Sequence, residues 1–171
     1  MTFIEKLSNG LRYAKSDFSK LSSLDHHDVK PKEDQVKCAL YRALSEEGYL
    51  VHVEAACARN GERCDLFAVA LDGHRAAIEI KSAWGGVGWV NKPLEQSATW
   101  KADIEKLLAL QENENADSGY FVLCLAYQFE SRWESVLKNE VQNIGGKQVL
   151  DFEISEWNGL DRISFYIKKV F

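Results

Sequence analysis

The stretch RCDLFAVALDGHRAAIEIK, from Arg63 to Lys81, predicts two β-strands joined by a tight turn. Residues 64–71 and 75–81 are rich in apolar and β-branched side chains, and Asp72-Gly73 between them is a strong hairpin signal. The run LFAVAL is continuously apolar, which is typical of a strand buried on both faces. Asp65 lies immediately before this run, where an unpaired carboxylate would be costly. We therefore expect Asp65 to have a partner, either Lys81 or a metal ion.

The second strand of this hairpin places its charged side chains on one face. In AAIEIK the two isoleucines share one face, and Glu79 and Lys81 share the other. A two-residue turn at residues 72–73 would pair Asp65 with Ile80 and send its side chain to the wrong face. We therefore predict a three-residue turn or a bulge, which returns Asp65 to the side of Glu79 and Lys81. The alternative interpretation is a half-solvated strand with a surface Glu/Lys pair that contributes little to stability.

A helix is predicted before the hairpin, with Pro31 at its first position and Gly48 at its C-terminal cap. Its apolar residues fall on one stripe at helical spacing, namely Val36, Leu40 and Leu44. Glu33 falls in line with that stripe, on the inward face of the helix. This acid is therefore a candidate third carboxylate of the site. The alternative interpretation is an acid in the first helical turn that is stabilised by the helix dipole.

The remaining pattern predicts an α/β domain with a mixed central sheet flanked by helices. A short helix at Thr2–Ser8 is expected to stop at Asn9-Gly10, and residues 16–30 are expected to form a loop or a loosely held helix. We interpret residues 1–30 as an N-terminal extension and residues 31–171 as one domain. The elements predicted around the hairpin are a strand at 49–54, a helix from Ser97 or Thr99 to about Asn113, a buried central strand at 119–127, a helix at 131–143, and two late strands near 148–154 and 162–170.

Two carboxylates and an ammonium group that converge on one point suit the hydrolysis of a phosphodiester bond. Mg²⁺ prefers hard oxygen ligands and usually takes one or two carboxylates while it keeps several waters. Such an ion polarises the phosphate and lowers the pKa of a bound water. A nearby lysine can hold the attacking water or neutralise charge in the transition state. Asp65, Glu79 and Lys81 have the residue types that this chemistry needs.

These residues resemble the PD-(D/E)XK, or restriction-endonuclease-like, nucleases. The motif is Asp65, thirteen intervening residues, and Glu79-Ile80-Lys81. The element order over residues 31–127 resembles the helix–three strands–helix–strand (αβββαβ) core of that superfamily, here followed by an extra helix and strands. With Glu33 included, the pattern looks most like Holliday-junction-resolvase and Mrr-type nucleases. Cys64 departs from the motif, since it stands where the motif's name has proline.

This resemblance implies a metal-dependent endonuclease that hydrolyses DNA. By resemblance, Asp65 and Glu79 would bind Mg²⁺ or Mn²⁺, with Glu33 as an accessory ligand, and Lys81 would be the catalytic lysine. The DNA would be branched or double-stranded, and a homodimer fits the family. The residues downstream of the hairpin supply candidates for contacts with DNA, because tryptophans can stack on bases and lysines can meet phosphates: Trp84, Trp89, Lys92, Gln96, Lys101 and Lys106.

Composition limits the classes of function. The chain has 171 residues, 46% of them hydrophobic, with 21 basic and 26 acidic side chains and a net charge of −5. A protein that coats DNA through a basic surface is therefore excluded. The N-terminal sequence has no apolar run of signal-peptide length, and the longest apolar stretch, Tyr120–Tyr127, is too short to span a bilayer. We expect a cytoplasmic protein with four reduced cysteines and no membrane partner.

The acidic total also favours a second hypothesis from another class of function. A nuclease-like domain that has lost its activity can serve as a protein-binding module, either as an immunity-type partner or as a regulatory one. A module of this kind has no chemical reason to keep an acid on a buried strand, which is the feature that favours the enzyme.

Overall fold

The protein is described from a computed structural model, which covers residues 1–22, 33–56, 63–85, 92–157 and 159–171. These residues form a mixed α/β fold with one six-stranded sheet, in the strand order β1-β2-β3-β4-β6-β5. β3 and β4 are parallel, and the other neighbouring strands are antiparallel. The strands are β1 (Leu50–Ala56), β2 (Arg63–Val69), β3 (Arg75–Gly85), β4 (Ser118–Tyr127), β5 (Lys147–Trp157) and β6 (Leu160–Lys169).

Helices cover both faces of this sheet. The helices of the described residues are α1 (Phe3–Ser22), α2 (Glu33–Glu46), α3 (Lys92–Glu112) and α4 (Arg132–Asn143). Every residue of β4 is buried, as the sequence predicts for a central strand. Its side chains alternate between two core clusters, with Val122 and Cys124 packed beside α1 and α2, and Phe121 and Leu123 packed beside α3 and α4. The predicted mixed sheet flanked by helices is therefore confirmed.

The predicted inward stripe of α2 is confirmed, because Val36, Leu40 and Leu44 are all fully buried. Gly48 ends this helix with a φ of +85°, a conformation that glycine adopts without strain. The backbone N–H of Tyr49 then donates to the carbonyl of Leu44 at 3.0 Å, which satisfies one of the helix's last carbonyls.

Two predicted helix boundaries are wrong. The first helix does not stop at Asn9-Gly10 but continues as α1 to Ser22. Gly10 is a packing residue, since a Cβ there would lie 2.9 Å from Leu40 Cδ2 and 3.0 Å from Ala43 Cβ on α2. The glycine therefore lets two helices approach closely instead of ending one. The second error is the start of α3, which begins at Lys92, before the predicted caps Ser97 and Thr99.

The three-residue turn predicted between β2 and β3 is confirmed. Leu66 lies opposite Ile78, and Ala70 N–H donates to His74 O at 2.9 Å across the turn formed by residues 71–73. Gly73 has a φ of +88°, which the turn requires. If this register is continued by one residue beyond the last pair, Asp65 is opposite Glu79. Asp65 is then on the side of β3 that also carries Lys81.

The cysteines only partly follow the expectation of reduced thiols. Cys38 is an exposed free thiol and Cys124 a buried free thiol. Cys64 is bonded in a disulfide, so the expectation is wrong there. Within the part of the chain that the structure describes, none of the helices combines the length and the apolar character needed to cross a bilayer.

Gly10→Val is expected to destabilise the fold by about 1–3 kcal/mol, because the added methyl groups would overpack the contact between α1 and α2. The free energy of unfolding in urea measures this effect. Asn9→Ala is the matched control, since Asn9 is exposed on the same helix and should change stability little. A Gly10→Val protein as stable as wild type would contradict the close packing of α1 on α2.

Candidate active site

The candidate site lies where β2 and β3 separate. Backbone pairing between the two strands runs from the turn as far as Leu66 and Ile78, whereas β3 continues to pair with β4 as far as Gly85. Just beyond the last pair, the N–H of Ile80 donates to Asp65 Oδ2 at 2.7 Å. A side-chain carboxylate thus takes the place of a backbone acceptor. The buried N–H is satisfied and β2 is free to diverge.

The other oxygen of Asp65 is paired with a lysine from α2. Lys37 Nζ lies 2.9 Å from Asp65 Oδ1 and also contacts Glu54 on β1. Burial disfavours the Lys37 ammonium, but its contacts with Glu54 and Asp65 outweigh that cost, so the pKa of Lys37 is raised. Glu54 has a φ of +51°, an uncommon backbone conformation for a residue other than glycine. Asp65 is only 8% exposed. Both oxygens of this buried carboxylate have a partner, one in Ile80 N–H and the other in Lys37.

Glu79 is the most deeply buried acid of the site, with a side chain only 2% exposed. Lys106 Nζ on α3 lies 2.6 Å from Glu79 Oε1 and donates to the carbonyl of Arg63. The contact with Glu79 is close but is not aligned as a hydrogen bond, so Oε1 has no such bond among the described residues. Burial raises the pKa of Glu79 to about 8, although Lys106 opposes this shift. The negative charges of Asp65 and Asp103 raise the pKa of Glu79 further, because they repel its ionised form.

Lys81 lies between two acids that come from opposite faces of the sheet. Its Nζ is 3.8 Å from Glu33 Oε1 on α2 and 3.6 Å from Asp103 Oδ2 on α3. Burial raises the pKa of both carboxyls, and the Lys81 charge opposes that increase. Burial also disfavours the Lys81 ammonium, but Glu33 and Asp103 outweigh it and raise its pKa. Lys81 is therefore a charged, partly buried ammonium group that lies between carboxylates.

The four predicted site residues form a cluster in which their charges influence one another, but their contacts are separate: Lys37 pairs with Asp65, Lys106 with Glu79 and Lys81 with Glu33. The roles assigned to the four residues stay predictions. Asp65 and Glu79 lie at the point of strand separation, Lys81 follows on β3, and Glu33 reaches Lys81 from α2. This arrangement excludes the alternative of an isolated surface Glu/Lys pair on β3, because Glu79 is buried and paired with another element.

The predicted DNA-contact residues that the structure describes belong to two elements of the fold. Trp84 belongs to β3, and Lys92, Gln96 and Lys101 belong to α3, where Lys101 is exposed. Trp89 lies outside the described residues. The structure places the ammonium group of Lys106, a further candidate for a phosphate contact, against Glu79.

Sequence reasoning missed three members of the cluster, Lys37, Asp103 and Glu54, and the spacing of the chain points to the first two. Lys37 follows Glu33 by one helical turn, so both lie on the same face of α2. Asp103 precedes Lys106 by three residues, which places both on the side of α3 that also carries the buried Leu107. Helical spacing relative to known inward residues was thus the signal that could have revealed them.

The residue types at the site are those that a hard divalent cation binds. Asp65 and Glu79 offer carboxylate oxygens only, and Mg²⁺ needs no more than one or two carboxylates besides water. Two buried carboxylate oxygens, Glu79 Oε1 and Asp103 Oδ2, have no hydrogen-bond partner among the described residues. In the same part of the chain, no three His, Cys, Asp or Glu side chains form a ready-made metal group. A cation would therefore have to replace the ammonium groups of Lys37 and Lys106 at the two carboxylates.

Comparison with protein-family models, curated proteins and solved structures finds no match to this chain. The resemblance to the nuclease superfamily therefore depends on the order of the elements and on the geometry of Asp65, Glu79 and Lys81.

Replacing Glu79 with glutamine should change how stability depends on pH. The pKa of Glu79 is about 8 in the folded protein and 4.5 as the reference value, so the folded state binds more protons between these limits. Stability should therefore fall as pH rises through this range, because ionising the buried carboxyl is costly. Glu79→Gln removes the ionisation, so its stability should overtake that of wild type as pH increases.

Urea unfolding of both proteins at a series of pH values measures this difference. Glu112→Gln, an exposed glutamate on α3, is the control and should follow the wild-type curve. Parallel curves for wild type and Glu79→Gln would show that the pKa of Glu79 is not raised.

Proposed function

We propose that this chain is a metal-dependent nuclease of the PD-(D/E)XK type that hydrolyses DNA phosphodiester bonds. One observation carries the proposal: Asp65 and Glu79 each lie one residue beyond the last backbone pair of β2 and β3, where Asp65 accepts from Ile80 N–H, and Lys81 follows two residues after Glu79. The buried Glu79 is hard to explain as a purely structural residue, because an apolar side chain of similar size would avoid its desolvation.

The topology supports this proposal. Residues 33–127 run in the order α2, β1, β2, β3, α3, β4, which is the order that the resemblance implies for the nuclease core. β1, β2 and β3 form an antiparallel meander, and α3 then connects β3 to the parallel strand β4. This connection places α3 on the face that carries Glu79 and Lys81.

The roles follow from the chemistry of the side chains. Asp65 and Glu79 would hold Mg²⁺ or Mn²⁺, with Glu33 in reach as an accessory ligand. A bound divalent ion would polarise the phosphate and acidify water. Lys81 would orient the attacking water and neutralise negative charge in the transition state. Since the chain is acidic overall, its binding to DNA should be weak, confined to one groove and sensitive to salt.

A second candidate function is a silent nuclease-like module that binds a protein partner. The observation that favours it is the internal neutralisation of the site, since Lys37 contacts Asp65 and Lys106 contacts Glu79. A site whose carboxylates are neutralised by lysines of the same chain would need no metal ion to be stable.

Asp65→Asn and Lys81→Met are expected to lower Mg²⁺-dependent DNA cleavage by about two to three orders of magnitude each, because each removes charge from the reacting centre. Cleavage of plasmid and branched DNA is measured with Mg²⁺, with Mn²⁺ and with a chelator. Glu112→Gln and Lys147→Met are matched controls, since both side chains are exposed, and Lys147 begins the strand at the far edge of the sheet.

Cleavage that persists in Asp65→Asn and Lys81→Met would mean that another site or a contaminant is responsible. If wild type cleaves no DNA and binds no Mn²⁺ in calorimetry, the nuclease proposal fails and the silent module gains support.

A further inference from the structure

Helix α3 presents a pair of charged residues that complements the pair on β3. Glu79 and Lys81 are separated by two strand positions, roughly 6.6 Å along the strand. Asp103 and Lys106 are separated by three helical positions, roughly 4.5 Å along the helix. In each contact the two charges are opposite: Lys106 lies against Glu79, and Asp103 lies against Lys81. We call this the crossed arrangement. Glu79 and Lys81 therefore each have an opposite charge on α3.

We propose that Asp103 is the positioning residue for Lys81. This inference rests on the proposed nuclease function and adds to it an acid that lies outside the motif. Asp103 acts through Lys81 and does not touch the substrate, because it holds the ammonium group in place from the α3 side. A lysine side chain is long and flexible, so its charge occupies one position only when a partner holds it there.

Asp103 is better suited to this role than Glu33, the other acid beside Lys81. The side chain of Asp103 is 16% exposed, against 32% for Glu33, so its contact with Lys81 is less screened by solvent. Asp103 Oδ2 is buried and has no hydrogen bond among the described residues, so no such bond competes with its contact to the Lys81 ammonium group at 3.6 Å. Glu33 would be drawn toward a bound cation as an accessory ligand, whereas Asp103 would keep Lys81 in position.

The position of Asp103 also explains why Lys81 does not close onto its neighbour Glu79. Glu79 already has Lys106 at 2.6 Å, so the nearest acids open to Lys81 are Glu33 and Asp103. The crossed arrangement thus keeps the ammonium of Lys81 apart from the carboxylate that would bind the cation. Without Asp103, Lys81 would have only the more exposed Glu33 and could move away from the reacting phosphate.

Asp103→Asn tests the proposal, because it keeps the shape of the side chain and removes the charge. The expected result is a decrease in kcat of roughly 10- to 100-fold with Mg²⁺, since a displacement of about 1 Å can cost that much. KM for DNA and the affinity for Mn²⁺ should stay unchanged. Asp103→Glu, which restores the charge, should recover part of the loss. Glu105→Gln, an exposed acid on the same helix, is the control.

A double-mutant cycle shows whether Asp103 acts through Lys81. In the Lys81→Met background, Asp103→Asn should cause no further loss of kcat, because the group that it positions is already gone. A further loss of the same factor would overturn the proposal, as would an unchanged kcat in Asp103→Asn or an effect confined to KM.

A second readout needs no activity. In protein labelled with ¹⁵N-lysine, the Nζ signal of Lys81, assigned by its absence in Lys81→Met, should be protected from exchange with water. This signal should be lost in Asp103→Asn and kept in Glu105→Gln; its persistence in Asp103→Asn would overturn the proposal. If wild type cleaves no DNA but the Lys81 signal depends on Asp103, the nuclease function fails and the positioning contact stands.

Discussion

The hydrogen bond from Ile80 N–H to the Asp65 carboxylate is the interaction on which the site depends. It satisfies a backbone group that β2 would otherwise have to pair, so β2 can leave β3 without an orphaned donor. The strands then separate at the position where Glu79 and Lys81 follow, while β4 still holds β3 from the other side. Side chains from helices on opposite faces of the sheet meet at this gap. A regular ladder would have kept the two helical layers apart, and Lys81 could not have contacted both α2 and α3.

Charge balance explains why the gap between β2 and β3 is stable although apolar side chains do not fill it. Each buried charge needs a partner, and α2, β1 and α3 supply partners for the charges on β2 and β3. The acids of the cluster nevertheless outnumber its lysines by five to three, namely Glu33, Glu54, Asp65, Glu79 and Asp103 against Lys37, Lys81 and Lys106. Part of this surplus is relieved by protonation of Glu79, whose pKa is raised to about 8. The rest is a negative charge that a divalent cation would neutralise.

The hairpin and its turn could be predicted from the sequence because the side-chain period of a strand is strict. A two-residue turn would have moved Asp65 to the opposite face, so the requirement that it share a face with Glu79 and Lys81 selected a three-residue turn or a bulge. Gly10 could not be interpreted in this way, since Asn-Gly is compatible both with a helix end and with a close helix contact, and only the position of Leu40 decides between them. Asp103 was missed for a similar reason. The role of a polar residue on an amphipathic helix depends on which strand it contacts, and the sequence of the helix does not contain that tertiary contact.

The lysines of the cluster link its two candidate functions. A buried carboxylate with no cation nearby would simply be protonated, and the cavity around it would tend to collapse. Lys106 keeps a positive charge 2.6 Å from Glu79 Oε1 and opposes that protonation, but burial still raises the pKa of Glu79 to about 8. A divalent ion must displace an ammonium group that also donates to the carbonyl of Arg63, and below about pH 8 it must also displace the proton of Glu79. A nuclease can use that competition to stay inactive until metal and phosphate arrive together, because the phosphate offers the displaced lysine a new anion. A protein-binding module needs no such displacement, so in it the lysines would remain where they are.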